Sequence, residues 1–356
     1  MDNVTNQGVA TSVVTVVERL SNDFSYLFAH FGAFIYFLFV ATSHRKRYAA
    51  TSQDNRTESP SYTPAPSSPA SSPAAAAPAP ALLAPAAIYA AAVKGGSIKA
   101  QLPLAKAFAL AILAGVYISF GGLLSFTLLN FMPGLMSSNP GLAKLLSASV
   151  FPMGLSLILI CGAELFTGNT ALLPAAVYEG QAAWGDVLSR WLVVYAAIRT
   201  IGGGVMLTMG NPPGNLVGCL GMVAAVYGTG LMAANTVLPA LAVAKTSLPL
   251  GQALIRSVLC NWMVCLAVWM ATAATSLPGK LMGLWLPVTA FVTVGLEHSI
   301  ANMFVIPMGM ALGAPVSIAT FLTANLIPVT LGNMIAGALC TAGMYCLCYG
   351  RLGEKL

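Results

Sequence analysis

Six stretches of this chain, at about 105–131, 145–175, 186–209, 253–275, 283–311 and 318–348, run for more than 20 residues with almost no charge. At about 1.5 Å of rise per residue, each is long enough to cross a hydrocarbon layer about 30 Å thick. In such a layer only helices and closed barrels satisfy their own backbone N–H and C=O groups. Period-two alternation is absent, so helices are expected rather than barrel strands. The chain is 57% hydrophobic and 7% charged, against about a quarter charged in ordinary soluble domains. The expected fold class is an all-α membrane protein with six transmembrane helices.

The formal charge of +6 does not point to nucleic acid, because the basic residues sit at the ends of apolar stretches and form no single patch. With six spans both ends of the core lie on one side. Lys94, Lys99, Lys106, Arg190, Lys280, Arg351 and Lys355 then share that side, while Lys144 and Lys245 lie opposite. By the positive-inside rule both ends are expected in the cytosol. The seven cysteines fall mostly inside apolar segments without a C-x-x-C pair, so no metal or other cofactor is expected.

Residues 1–50 form an N-terminal extension. Within it an apolar run at 24–42 is followed at once by His44, Arg45, Lys46 and Arg47. It reads as an extra transmembrane anchor or as a targeting segment that is removed. Residues 51–84 are Ser/Pro/Ala-rich, a disordered linker that cannot bury a core. The membrane core follows at 85–350, with a short cytosolic tail at 351–356. The connection at about 210–250 is apolar and rich in Gly and Pro, and is expected to fold over the protein. A multi-pass protein of the plasma membrane is expected, with an organelle membrane as the alternative.

A repeat divides the core. The second stretch carries Gly162-x-Glu164-x-x-x-x-Asn169-x-x-x-x-Pro174, and the fifth carries Gly295-x-Glu297-x-x-x-x-Asn302-x-x-x-x-Pro307. Three spans per half is odd, so the second copy must cross in the opposite direction, an inverted 3+3 repeat with broken second and fifth helices. The general plan is aquaporin-like. A glycine, a carboxylate and an amide within an apolar run are where a helix should break, and a broken helix presents free N–H groups that favour anions. Gly162 and Gly295 are expected to serve backbone geometry, and Glu164, Asn169, Glu297 and Asn302 to satisfy the loosened backbone.

The strings CGAELFTGN (161–169), CNWMVCLAVWM (260–270), GLEHSIANMFVIPMGM (295–310) and NLIPVTLGN (325–333) strongly resemble the formate/nitrite transporter family. The likeness begins near residue 85 and runs to the C-terminus. It implies six-span protomers, each with its own pore, assembled as a homopentamer. Carried over by position, it places the family's central histidine at His298, with Thr167 and Asn261 as hydrogen-bonding neighbours and Lys245 as the vestibule lysine. It also implies apolar constrictions at Phe151 and Leu155 on the cytosolic side and at Phe166, Val264 and Phe291 on the outer side. Two positions depart from bacterial formate channels. Thr167-Gly168-Asn169 replaces Thr-Ser-Thr, as in members resembling lactate and proton carriers, and Leu296 replaces an aromatic residue.

A polar residue inside a membrane is a functional candidate by default. A bare anion entering an apolar constriction loses hydration worth tens of kcal/mol by Born reasoning. Small monovalent anions are therefore expected to be drawn in by Lys245 and the positive helix ends. They would cross as the neutral acid or paired with protonated His298, so that transport follows the proton gradient. The alternatives are an aquaporin-like channel for water, ammonia or glycerol, and a membrane organiser without flux. An enzyme built on Glu297 and His298 is not expected, because neighbours on a helix point about 100° apart.

Overall fold

The computed structural model describes residues 82–194, 199–201, 204–206 and 214–355. The expected anchor at 24–42 and most of the linker lie outside these residues. At the end of that linker, the Leu83 N–H donates to the Ala273 carbonyl at 2.9 Å.

Helix α1 (Pro85–Gln101) opens on a proline in its first turn, where the missing N–H costs nothing. It is followed by α2 (Leu104–Asn130), the short α3 (Pro133–Ser138), α4 (Pro140–Val150) and α5 (Met153–Cys161). The second apolar stretch stops there. Gly162 takes φ 79° and ends the helix in the left-handed conformation, and the chain resumes as α6 (Phe166–Tyr178). After α7 (Trp184–Val194) come a three-residue antiparallel pair, β1 (Arg199–Ile201) with β2 (Gly204–Met206), and then α8 (Gly214–Gly228) and α9 (Val237–Thr246). The second half begins with α10 (Leu250–Ala273). Helix α11 (Leu277–Val294) ends on Gly295 at φ 80°, and the chain resumes as α12 (Ser299–Ala311). The last helix, α13 (Ile318–Tyr349), contains two π-helical segments, Phe321–Leu326 and Ala336–Gly343.

Both breaks are closed by the same hydrogen bond. The Ala163 N–H reaches back to Ile158 O, and the Leu296 N–H to Phe291 O, the six-to-one bond of a glycine-terminated helix. The motif glycines thus lie where the chain must enter positive φ.

Five of the described helices are long and apolar enough to cross a membrane: Leu104–Asn130, Pro140–Cys161, Leu250–Ala273, Leu277–Val294 and Ile318–Tyr349. The third stretch, expected as a helix over 186–209, departs from expectation. Its described residues are helical over Trp184–Val194 and paired as strands at Arg199–Ile201 and Gly204–Met206. The run Gly202-Gly203-Gly204 behind the β-branched Thr200 and Ile201 disfavours helix by about 1 kcal/mol per glycine. The connection expected to fold over the protein at 210–250 contains two apolar helices, α8 and α9, too short to register as spans.

Helix α8 lies unusually close to α2. A Cβ on Gly115 would overlap the Asn215 carbonyl, and one on Gly218 would overlap the Ile112 carbonyl. Small residues let two backbones approach in lipid, where dispersion contacts replace a hydrophobic driving force. The approach also lets the Cys219 thiol reach Gly115 O at 3.4 Å. Replacing Gly218 with Leu should cost about 1–3 kcal/mol by overpacking. The thermal midpoint of the detergent-solubilised protein should fall, whereas Gly221→Leu, at a position with nothing within 4 Å, should leave it unchanged.

Candidate functional site

Each break exposes backbone groups that no helix satisfies, and each is held by one buried asparagine from a distant helix. Asn215 of α8 accepts from the Phe166 N–H at 3.1 Å and donates to Glu164 O at 3.0 Å and Ala111 O at 2.8 Å. Asn333 of α13 does the same at the second break, accepting from Ser299 N–H at 2.9 Å and donating to Glu297 O at 3.2 Å and Ser257 O at 2.8 Å. Both side chains are fully buried. These clamps are absent from the sequence reading. Their signal is the Gly-Asn pair that recurs as Gly214-Asn215 and Gly332-Asn333.

The motif carboxylates follow a second parallel scheme. Glu164 accepts from Asn169 Nδ2 at 2.7 Å and from Lys99 Nζ at 2.6 Å. Glu297 accepts from Asn302 Nδ2 at 2.7 Å and from Lys245 Nζ at 2.9 Å. Lys245, expected as the vestibule lysine, is paired with Glu297, and Lys99 is an equivalent lysine that sequence reasoning missed. An isolated charge inside an apolar core would be expensive, and pairing with full hydrogen bonding is what makes these tolerable.

His298 links the two breaks. Its Nδ1 accepts from the Ala301 N–H at 3.0 Å, capping α12, and its Nε2 lies 3.0 Å from Thr167 Oγ1. A nitrogen that accepts from an amide has no proton of its own, so the neutral ring carries its proton on Nε2 and donates to Thr167. The ring stacks on Phe291, with centroids 5.8 Å apart and planes 19° from parallel. Asn261 sits behind this contact. Its amide nitrogen lies within 2.8 Å of Thr170 Oγ1 and 2.6 Å of Asn333 O, and 3.3 Å from Thr167 O. Its buried carbonyl oxygen has no hydrogen-bond partner among the described residues.

Beside the imidazole is a small apolar cavity of about 10 Å³. Four of the expected constriction residues line it with His298: Phe151, Leu155, Val264 and Phe291. Ile118, Leu165 and Val288 complete the wall. A volume this small holds no more than about one water and no hydrated anion. Phe151, expected on the cytosolic side, meets Phe291, expected on the outer side, edge to face at 6.4 Å. Phe166 is not on this cavity; its ring packs at 6.0 Å against Trp191 of α7. Phe151, in the turn before α5, Leu155 of α5 and Phe291 of α11 converge only through helix packing, which position in the sequence does not reveal.

A family pattern described as "Formate/nitrite transporter" matches residues 86–347. Among curated proteins, the "Probable formate transporter" of Methanothermobacter thermautotrophicus is 38% identical over 263 residues, covering 71% of this chain and 92% of that protein. The "Formate channel FocA" of Escherichia coli (strain K12) is 38% identical over 281 residues, covering 72% and 91%. Among solved structures, an "FNT family ion channel" is 26% identical with a TM-score of 0.64, covering 74% of this chain and 98% of the other. A "Pentameric formate channel with formate bound" is 31% identical with a TM-score of 0.56, covering 69% and 97%.

Removing a clamp should orphan a buried N–H and a buried C=O at once, each costing about 1–3 kcal/mol. Asn333→Leu should therefore displace the peptide on both sides of His298 and abolish solute flux in reconstituted vesicles. Asn333→Asp keeps the acceptor for Ser299 and should retain more flux than the leucine variant. Equal activity in both and in the parent protein would remove the clamp from the account.

Proposed function

Since this chain belongs to the formate/nitrite transporter family, a family of channels and transporters rather than enzymes, we propose that it passes small monovalent anions across a membrane, formate foremost, together with a proton. The observation that carries this reading is His298, held by Thr167, as the single polar member among the described residues of an otherwise apolar ring. A charged solute at that ring would lose its water with only one donor to replace it, which is prohibitive. A protonated acid has no such penalty. Its carbonyl can accept from the His298 Nε2–H in place of Thr167 Oγ1, and its hydroxyl can donate to the Thr167 oxygen so released.

The geometry favours a neutral histidine in this role. A second proton would have to go on Nδ1, breaking the bond from Ala301 and orphaning that amide at the start of α12. Pairing of the anion with a cationic imidazole is therefore the less economical route. The proton would come from the water at the mouths, where Lys99 and Lys245 raise the local concentration of the anion.

The same reading takes the core as an inverted 3+3 repeat. Lys99 and Lys245, and likewise Ala111 and Ser257, are separated by equal numbers of residues and play equivalent parts in the two halves. It also takes the chain as a homopentamer, like the solved formate channel that it resembles, in the plasma membrane with the C-terminal end of the core in the cytosol. Of the expected constriction, Phe151, Leu155, Val264 and Phe291 form the narrow ring that the neutral acid must pass.

The test is uptake of labelled formate, nitrite and lactate into proteoliposomes under an imposed pH gradient. If the neutral acid is the species that crosses, uptake should rise about tenfold for each unit of acidification outside, as its protonated fraction does well above its pKa. His298→Phe should abolish the flux. Uptake of glycerol in place of every anion would overturn the reading in favour of a neutral-solute channel.

A further inference from the structure

The two lysine–glutamate pairs match in their first contacts and differ in their second, and the difference rests on one residue. Asn325 is fully buried and lies in the π-helical segment Phe321–Leu326 of α13. Its Nδ2 donates to Lys245 O at 2.9 Å and to Glu297 Oε2 at 3.1 Å, and its Oδ1 accepts from Asn302 Nδ2 at 2.8 Å. With Lys245 Nζ on Glu297 Oε1 and Asn302 on Glu297 Oε2, the bonds close a ring. In that ring Lys245 is held at both ends, by its ammonium and by its own carbonyl. A π-helical insertion turns the following residues relative to a regular helix, and such segments concentrate at functional sites.

Glu164 has no such addition. Among the described residues its side chain takes only Lys99 and Asn169, and the Lys99 carbonyl accepts from the Leu102 N–H at its own helix end, with no side chain joining it to the carboxylate. The exposure follows the bonding, with side chains 24% and 8% exposed for Lys99 and Glu164, against 15% and 2% for Lys245 and Glu297.

We propose that Asn325 is a positioning residue that fixes Lys245, so that this mouth of the pore offers a preorganised cation to the anion while the Lys99 mouth offers a looser one. This rests on the reading of both lysines as mouth residues of an anion pathway. A preorganised charge loses less freedom when a ligand binds, so the Lys245 face binds the anion more tightly. With passage of the apolar ring as the slow step, half-saturation measured from each face reports the mouth on that face. The molecule is thus built with unequal affinities on its two sides, although the motifs of its halves are alike.

The experiment measures saturable uptake of labelled formate in right-side-out and inside-out membrane vesicles, with equal pH on both sides. In the parent protein the half-saturation concentration should be lower from the Lys245 face. In Asn325→Leu the ratio of the two half-saturation values, Lys245 face over Lys99 face, should rise about fivefold, the effect of losing one hydrogen bond of ordinary net worth. The ratio of maximal rates should follow it, as passive flux requires. Asn325→Ser, which disturbs packing less, should move the ratio the same way and serves if the leucine variant does not assemble. In a Lys245→Gln background, Asn325→Leu should add nothing further. An unchanged ratio in both Asn325 variants, or a full additional effect in the Lys245→Gln background, overturns the proposal while leaving anion transport intact. A parent protein without saturable formate uptake would overturn the transport reading itself.

Discussion

Everything at the centre of this protein depends on satisfying backbone that has left its helix within an apolar surrounding. Opening a helix at 162–165 and again at 295–298 frees amides and carbonyls where water is scarce, and each one left alone is costly. The answer is the same in both places. A glycine turns the chain into positive φ, an asparagine from another helix brackets the next peptide, and the motif asparagine and a lysine hold the motif carboxylate. The clamps also dictate packing. Asn215 can reach the first break only because Gly115 and Gly218 bring α8 against α2.

On that shared frame the two breaks present different side chains to one another. The first supplies Thr167, within the opening turn of α6, and the second supplies His298, the cap of α12. The 3.0 Å contact between them joins the halves at the cavity. The imidazole is fixed on three sides, by the amide it caps, by the hydroxyl it meets and by the face of Phe291. Such a ring has one orientation and one neutral tautomer, and its single donor points toward the first break. The surrounding wall is aromatic and aliphatic.

The paired charges are a cost that the fold accepts. Neither Lys99–Glu164 nor Lys245–Glu297 is an obvious gain in stability, since the desolvation of two ions rivals their attraction. Their placement one to each break, beside the helix ends that frame the cavity, matches a role in concentrating anions. The added amide of Asn325 distinguishes the two, and it marks where the halves of the repeat have diverged in detail while keeping the same skeleton.

Much of this was legible in the sequence. Apolar length and the shortage of charge required spanning helices, and the recurrence of Gly-x-Glu-x-x-x-x-Asn-x-x-x-x-Pro located both breaks to the residue. The family strings singled out His298, Thr167 and Asn261, which the fold brings within reach of one another. What stayed hidden were partnerships across long separations. Lys99 meets Glu164 from 65 residues away, and Asn215 reaches the first break from a helix too short to register as a span. The contact between Phe151 and Phe291 was hidden for the same reason. Periodicity and motif spacing report what a segment does with its own backbone. Which side chains meet is settled by how closely whole helices approach, and that is a property of the packed core alone.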